Sequence, residues 1–170
     1  MGVDGIRTSD IFDEYYEDSN PVKIPSFQRD HNEIVPGLYV QEVKRNIAIY
    51  DLRFVKPNTE VIPIDAIHTI EHLFATWLKL GNNNIKELVV SFNPGGCQTM
   101  FYLELFTEPG MLQESYVAEV LIQCIDWSLK QTKVPGSSKE ECGNYKSHNL
   151  EKAKEWLQRY KITLAEQFKI

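Results

Sequence analysis

The sequence predicts one α+β domain, an antiparallel β-sheet with helices packed on one face, over residues 23–170. Short runs of β-formers joined by hairpin-length turns predict the sheet, and three longer segments with apolar residues at helical spacing predict the helices. Strands gathered early and helices late favour α+β over alternating βαβ units. A length of 170 residues fits a single domain.

Leu38–Val43 and Ile47–Val55 read as strands, the second with partial alternation through Ile47-Ala48-Ile49-Tyr50-Asp51-Leu52-Arg53-Phe54. Pro57-Asn58 is a turn, and Pro63 falls just before a helix. Asp65 is its first-turn acid or cap, and Gly81 marks its end. Along that helix Ile67, Ile70, Phe74 and Leu78 form an apolar stripe. Leu88–Phe92 is a short apolar strand that Asn93-Pro94-Gly95-Gly96 should break, and Gln98–Phe106 resumes strand character. Gly110 precedes a second helix from about Gln113 to Lys130, Pro135-Gly136-Ser137-Ser138 is a loop, and Ser147 or Asn149 caps a third helix reaching about Gln167.

Residues 1–22 differ in texture. Asp4, Asp10, Asp13, Glu14, Glu17 and Asp18 face one basic residue, Arg7, and the segment reads as a mobile or loosely docked acidic extension. Pro21 and Pro25 bracket an expected linker. A net charge of -6 argues against nucleic acid or an anionic membrane as partner. No run approaches the roughly 20 apolar residues of a membrane span, and no secretory leader is evident. A cytoplasmic location is the expectation. Three cysteines, an odd number, suit a reducing compartment, where thiols more often bind metal or do chemistry than pair.

The chemistry-bearing residues concentrate in a few places. His68 and His72 sit at i and i+4 on the expected helix, on one face and one turn apart, the spacing that holds a metal ion. Glu71 is a near neighbour that can serve as a base. Two half-buried histidines on an amphipathic helix would look the same in isolation. Cys142, in the polar loop Glu141-Cys142-Gly143-Asn144-Tyr145, can approach a metal freely. Two histidines and a thiolate leave a tetrahedral ion one open position, the pattern of a catalytic site. His31 or His148 offers a fourth donor, so counting alone leaves a closed site open as an alternative. Cys97 follows two glycines at a strand break, where it is either functional or a small core residue at a bulge. Cys124 shares helical spacing with Val117, Val120, Leu121 and Ile125 and reads as a core thiol.

Together these residues resemble the S-ribosylhomocysteine lyase (LuxS) family, from about Ser26 to the C-terminus. Ser26-Phe27-Gln28-Arg29-Asp30-His31 is similar to the family's Ser-Phe-x-x-Asp-His, and Tyr50-Asp51-Leu52-Arg53-Phe54 with Pro57-Asn58 to its Phe-Asp-Ile-Arg-Phe and Pro-Asn. Ile67-His68-Thr69-Ile70-Glu71-His72-Leu73 is nearly its metal-helix motif. Pro94-Gly95-Gly96-Cys97-Gln98-Thr99 with Phe101-Tyr102 resembles its Pro-Met-Gly-Cys-x-Thr-Gly-Phe-Tyr, and Cys142-Gly143 with His148 and Leu150-Glu151 its last ligand segment.

The resemblance implies His68, His72 and Cys142 as metal ligands, Glu71 and Cys97 as the acid/base pair, and Ser26, His31 and Arg53 lining the ribose site. It implies one divalent metal per chain, Fe(II) in cells with Zn or Co as replacements. It further implies a homodimer with active sites at the subunit interface, acting on a small molecule. The implied reaction cleaves S-ribosylhomocysteine to homocysteine and 4,5-dihydroxy-2,3-pentanedione, the autoinducer-2 precursor, by metal-assisted carbonyl migration and β-elimination. The sequence departs from the pattern at Ser91-Phe92-Asn93, where the family has Asp-Ile-Ser, at Lys79, where it has arginine, and at Met100, where it has glycine. These changes touch recognition of the amino-acid end and predict a weaker grip there. Two competing readings are an inverted-motif zinc hydrolase, with Glu71 activating a metal-bound water, and a non-catalytic metal-binding signalling module. Neither assigns a role to Cys97.

Overall fold

The computed structural model describes residues 25–107 and 112–170. The chain divides into two compact units, residues 1–30 and His31–Ile170. In the first, the helix α1 (Pro25–Gln28) is a single turn. Pro25 opens this helix, a position that suits proline, and the rest of the linker expected between Pro21 and Pro25 lies outside the described residues. The acidic segment 1–22 lies outside the described residues.

The second unit holds a four-stranded antiparallel sheet and three long helices, as the sequence pattern predicts. Its strands are β1 (Gly37–Lys44), β2 (Ile47–Arg53), β3 (Val89–Pro94) and β4 (Met100–Phe106), in spatial order β1-β2-β4-β3. Its helices are α2 (Ile64–Leu80), α3 (Glu114–Leu129) and α4 (Leu150–Phe168). Arg45, with φ at 56°, supplies the left-handed residue of the tight β1–β2 turn, and Asn46 O accepts from Thr107 N. Leu38, Ala48, Tyr50, Leu52, Phe101, Leu103 and Leu105 are buried toward the helices. Against them pack the α2 stripe Ile67, Ile70, Phe74 and Leu78, and Val117, Val120, Leu121, Cys124 and Ile125 of α3. Cys124 is thus the core thiol its spacing predicted.

Three boundaries differ from expectation, each for a local reason. Strand β3 runs through Asn93 and Pro94; β3 is a sheet edge, where a missing N–H is tolerated. Strand β4 begins at Met100 instead of Gln98, because Gln98 has φ at 59° and cannot join a ladder. Strand β2 ends at Arg53, since the next two amides, Phe54 N and Val55 N, both turn to Thr99 O, at 3.1 and 3.3 Å. Helix α4 is tied to the sheet by Tyr160, which stacks on Phe54 with ring centroids 4.0 Å apart and donates to Gly37 O at 3.0 Å. Gln167 closes a two-way clamp on Leu38, accepting from its N at 2.8 Å and donating to its O at 3.0 Å.

Candidate metal centre and thiol pocket

His68 and His72 project from the half-buried face of α2, beside its apolar stripe. Cys142 and His148 come from the loop that leads into α4. The four residues place one donor atom each within 4.8 Å of every other. Two contacts are direct, Cys142 Sγ to His68 Nε2 at 3.4 Å and to His148 Nε2 at 3.9 Å. The sequence named His68, His72 and Cys142, and His148 only as a spare donor; the fold brings it into the cluster.

The surroundings fix each imidazole in the form that suits a ligand. His68 Nδ1 lies 2.8 Å from Ser147 O, and His72 Nδ1 lies 2.9 Å from Pro135 O. A carbonyl only accepts, so both Nδ1 atoms carry hydrogen and both Nε2 atoms present lone pairs. His148 is held by longer logic. Thr69 Oγ1 donates its one proton to Asp65 O at 2.7 Å, so it can only accept from Asn149 N at 2.9 Å and from His148 Nδ1 at 3.3 Å. His148 Nε2 is therefore also a lone pair turned toward the cluster. Desolvation, and next the neighbouring His68 and His72, lower His148 to a pKa of about 4, so the ring is neutral near pH 7. Gly136, with φ at +65°, lets the chain pass His72: a Cβ there would sit 3.3 Å from His72 Nδ1. Three imidazole nitrogens with outward hydrogens and a thiol form a donor set that suits a divalent metal.

A second group of residues surrounds Cys97. The turn Gly95–Gln98, closed by Gln98 N donating to Gly95 O at 3.0 Å, puts Cys97 at an exposed tip. It is not a core residue at a bulge. Gly95 packs closely, since a Cβ there would lie 2.3 Å from Met100 Sδ and displace that side chain. Cys97 Sγ lies 3.0 Å from Thr99 Oγ1, which accepts from Arg53 Nη1 at 2.7 Å; Arg53 Nη2 in turn donates to Asp51 at 2.7 Å. Arg53 is 4% exposed, and among the described residues its Nε has no partner. Cys97 and Thr99 line a cavity of about 370 Å³ with His31 and the turn Pro57–Val61, within the usual range for a small-molecule site.

Of the sequence-assigned residues, the structure brings together His68, His72 and Cys142 in one place, and Arg53, Cys97 and His31 in another. Glu71 is half-buried on α2, one residue before His72. Ser26 lies on α1, in the other unit. Neither Thr69 nor Thr99 stands out in the sequence, because their partners lie 80 and 46 positions away and neither carries a spacing signal. At the departures, Met100 is buried, Lys79 is exposed at the end of α2, and Ser91 Oγ donates to Glu104 Oε2 at 2.8 Å. A carboxylate thus already stands beside position 91, and an acid installed there would face Glu104 across the β3–β4 pair.

Fold and site define an α+β enzyme domain with a histidine–cysteine metal-binding cluster. The family model described as S-Ribosylhomocysteinase (LuxS) matches residues 24–169, and the chain belongs to that family. It is 41% identical over 143 residues to the S-ribosylhomocysteine lyase of Borreliella afzelii, covering 78% of this chain and 85% of that protein. The S-ribosylhomocysteine lyase of Thermus thermophilus is 36% identical over 144 residues, covering 81% and 88%. That of Streptococcus sanguinis is 34% identical over 148 residues, with the same shares.

Proposed function

We propose that this chain is a carbon–sulfur lyase that cleaves S-ribosylhomocysteine to homocysteine and 4,5-dihydroxy-2,3-pentanedione, the autoinducer-2 precursor. One observation carries the reading beyond the family match: the chain holds a metal-donor cluster and, separately, a cavity with an exposed thiol wired to a buried arginine. A hydrolase using Glu71 and a metal-bound water would need only the first.

His68, His72 and Cys142 hold the ion. His68 and His72 meet edge to face at 85°, so both in-plane lone pairs can converge on one ion. His148 stacks on His68, with ring centroids 4.0 Å apart and planes 22° from parallel. In this reading His148 is a spare donor beside the three ligands, and a three-ligand site would leave a fourth position for substrate. A bound divalent ion, Fe(II) in cells with Zn or Co as replacements, supplies Lewis-acid stabilisation of negative charge on the sugar oxygens.

Glu71 and Cys97 move protons between adjacent carbons and oxygens, so that two isomerisations carry the carbonyl from C1 to C3. Removal of the next acidic proton, beside the C3 carbonyl, expels the homocysteine thiolate by β-elimination, which a proton then completes. The bonds balance without water or a redox partner. Ser26, His31 and Arg53 bind the ribose, and His31 lines the cavity itself. The metal cluster and the Cys97 cavity share no residue. That separation supports a homodimer in which one copy brings its thiol pocket to the other's metal. The lyase domain spans residues 23–170 with the acidic segment 1–22 appended, and the enzyme works in the cytoplasm. Among the described residues no helix is long and apolar enough to cross a membrane.

The test is product identity. Anaerobic, Fe(II)-loaded protein incubated with S-ribosylhomocysteine should yield homocysteine and the dione, the latter trapped with an aromatic diamine and weighed by mass spectrometry. A ribose released intact would instead mark hydrolysis of the thioether and defeat the proposal.

A further inference from the structure

We propose that Thr99 is a positioning residue for Cys97, donating its hydroxyl proton to the thiolate sulfur while Arg53 holds one of its two lone pairs. The role rests on the reading of Cys97 as a proton-transfer group. Arg53 Nη1 lies 2.7 Å from Thr99 Oγ1. A guanidinium stays protonated and has no acceptor, so at this contact the hydroxyl accepts. Thr99 Oγ1 has one proton left to place, and its other partner among the described residues is Cys97 Sγ at 3.0 Å. The hydroxyl's second lone pair can accept from a Cys97 thiol, but a thiolate has no proton to give, so with the thiolate the hydrogen bond runs from hydroxyl to sulfur. A donor aimed at sulfur bonds more strongly to a thiolate than to a thiol, because the charged acceptor shortens and strengthens the bond.

Thr99 is well placed to impose direction. It is 4% exposed, and its carbonyl is pinned by the amides of Phe54 and Val55. Cys97, by contrast, sits at an exposed turn tip, outside the core packing that would otherwise fix its side chain. The chain Arg53–Thr99–Cys97 thus links the end of β2 to the thiol through one buried hydroxyl. Other charged or titratable groups also face this thiol. Asp51 stands behind Arg53, and His31 and Glu60 line the same cavity. Tyr102 of β4 also interacts with Cys97; its phenol is raised by burial first, then by Asp51 and Cys97. All remain when only Thr99 is changed, so the hydroxyl can be isolated.

The experiment compares wild type with Thr99→Val and Thr99→Ser, each full length and metal-loaded. The rate of Cys97 alkylation by iodoacetamide is followed from about pH 5 to pH 9 by peptide mass mapping, since the thiolate is the reacting form. Loss of one charge-assisted hydrogen bond should slow Thr99→Val about tenfold near neutral pH and move its profile to higher pH. Thr99→Ser, which keeps the hydroxyl, should follow wild type. A Thr99→Val profile equal to wild type, or a Thr99→Ser profile as slow as valine, overturns the proposal. Circular dichroism and metal content confirm folding. If Thr99→Val fails to fold, Thr99→Ala provides a second arm: it also lacks the hydroxyl and leaves Arg53 in place, so alkylation should slow, and an unchanged rate overturns the proposal. Alkylation needs no turnover. Were Cys97→Ala to remain an active lyase, the catalytic reading would fall while the labelling data still decided the hydrogen bond.

Discussion

At the scale of single residues, the three cysteines occupy three environments, and their chemistry follows. Cys124 is wholly buried, and desolvation pushes its thiol well above the ordinary range. It stays protonated and inert, so Cys124→Ala should leave activity near wild type and lose only core packing. Cys97 is exposed at a turn and bonded to a hydroxyl. Cys97→Ala and Glu71→Gln should each retain metal and lose at least about 10²-fold in thiol release, the scale of a general acid/base. Near-normal turnover in either variant would remove that residue from the mechanism. Cys142 sits among three imidazoles. Cys142→Ala should lose most of its bound metal, because a thiolate ligand goes with it. Elemental analysis showing full occupancy would reassign the ligands.

At the scale of elements, the metal cluster depends on how the start of α4 docks on α2. Asn149 caps α4 by accepting from Lys152 N at 3.0 Å, and its own N donates to Thr69 of α2. Its Nδ2 also reaches Asp65 Oδ2 at 3.1 Å. One residue thus fixes both the helix start and the loop carrying Cys142 and His148. Asn149→Ala should cost about 1 kcal/mol from the lost cap, read by thermal melting of the metal-free protein. It should also weaken metal binding in a chelator competition, and an unchanged metal affinity would show that the cluster does not rely on this joint. The same elements explain what the sequence disclosed. The stripe Ile67, Ile70, Phe74 and Leu78 was legible because periodicity announces a buried face, and with it came the His68–His72 pair. His148 was legible only as a spare donor, and the parts played by Thr69 and Thr99 were not legible. Their roles arise from contacts between α2 and the 142–149 loop, or between β2 and the Gly95–Gln98 turn, and no local spacing encodes those. Likewise the start of β4 hinged on the left-handed Gln98, which nothing in its side chain signals.

At the scale of the whole molecule, the separation of metal cluster and thiol pocket makes a strong demand on assembly. If each active site draws its metal ligands from one copy and Arg53 from the other, two dead variants should rescue each other. His68→Ala and Arg53→Ala, mixed and allowed to exchange subunits, should recover about a quarter of wild-type activity, since half the dimers are mixed and each has one intact site. No recovery, with exchange confirmed by mass spectrometry, would place the whole site within one chain. The central claim, that this chain is the lyase its family membership indicates, is met most directly by one time course. Anaerobic Fe(II)-loaded protein is given S-ribosylhomocysteine and free thiol is followed with a chromogenic disulfide. Wild type should release one thiol per substrate consumed, and Glu71→Gln almost none. Substrate left intact by the metal-loaded wild type, or release undiminished in the Glu71 variant, would contradict that claim.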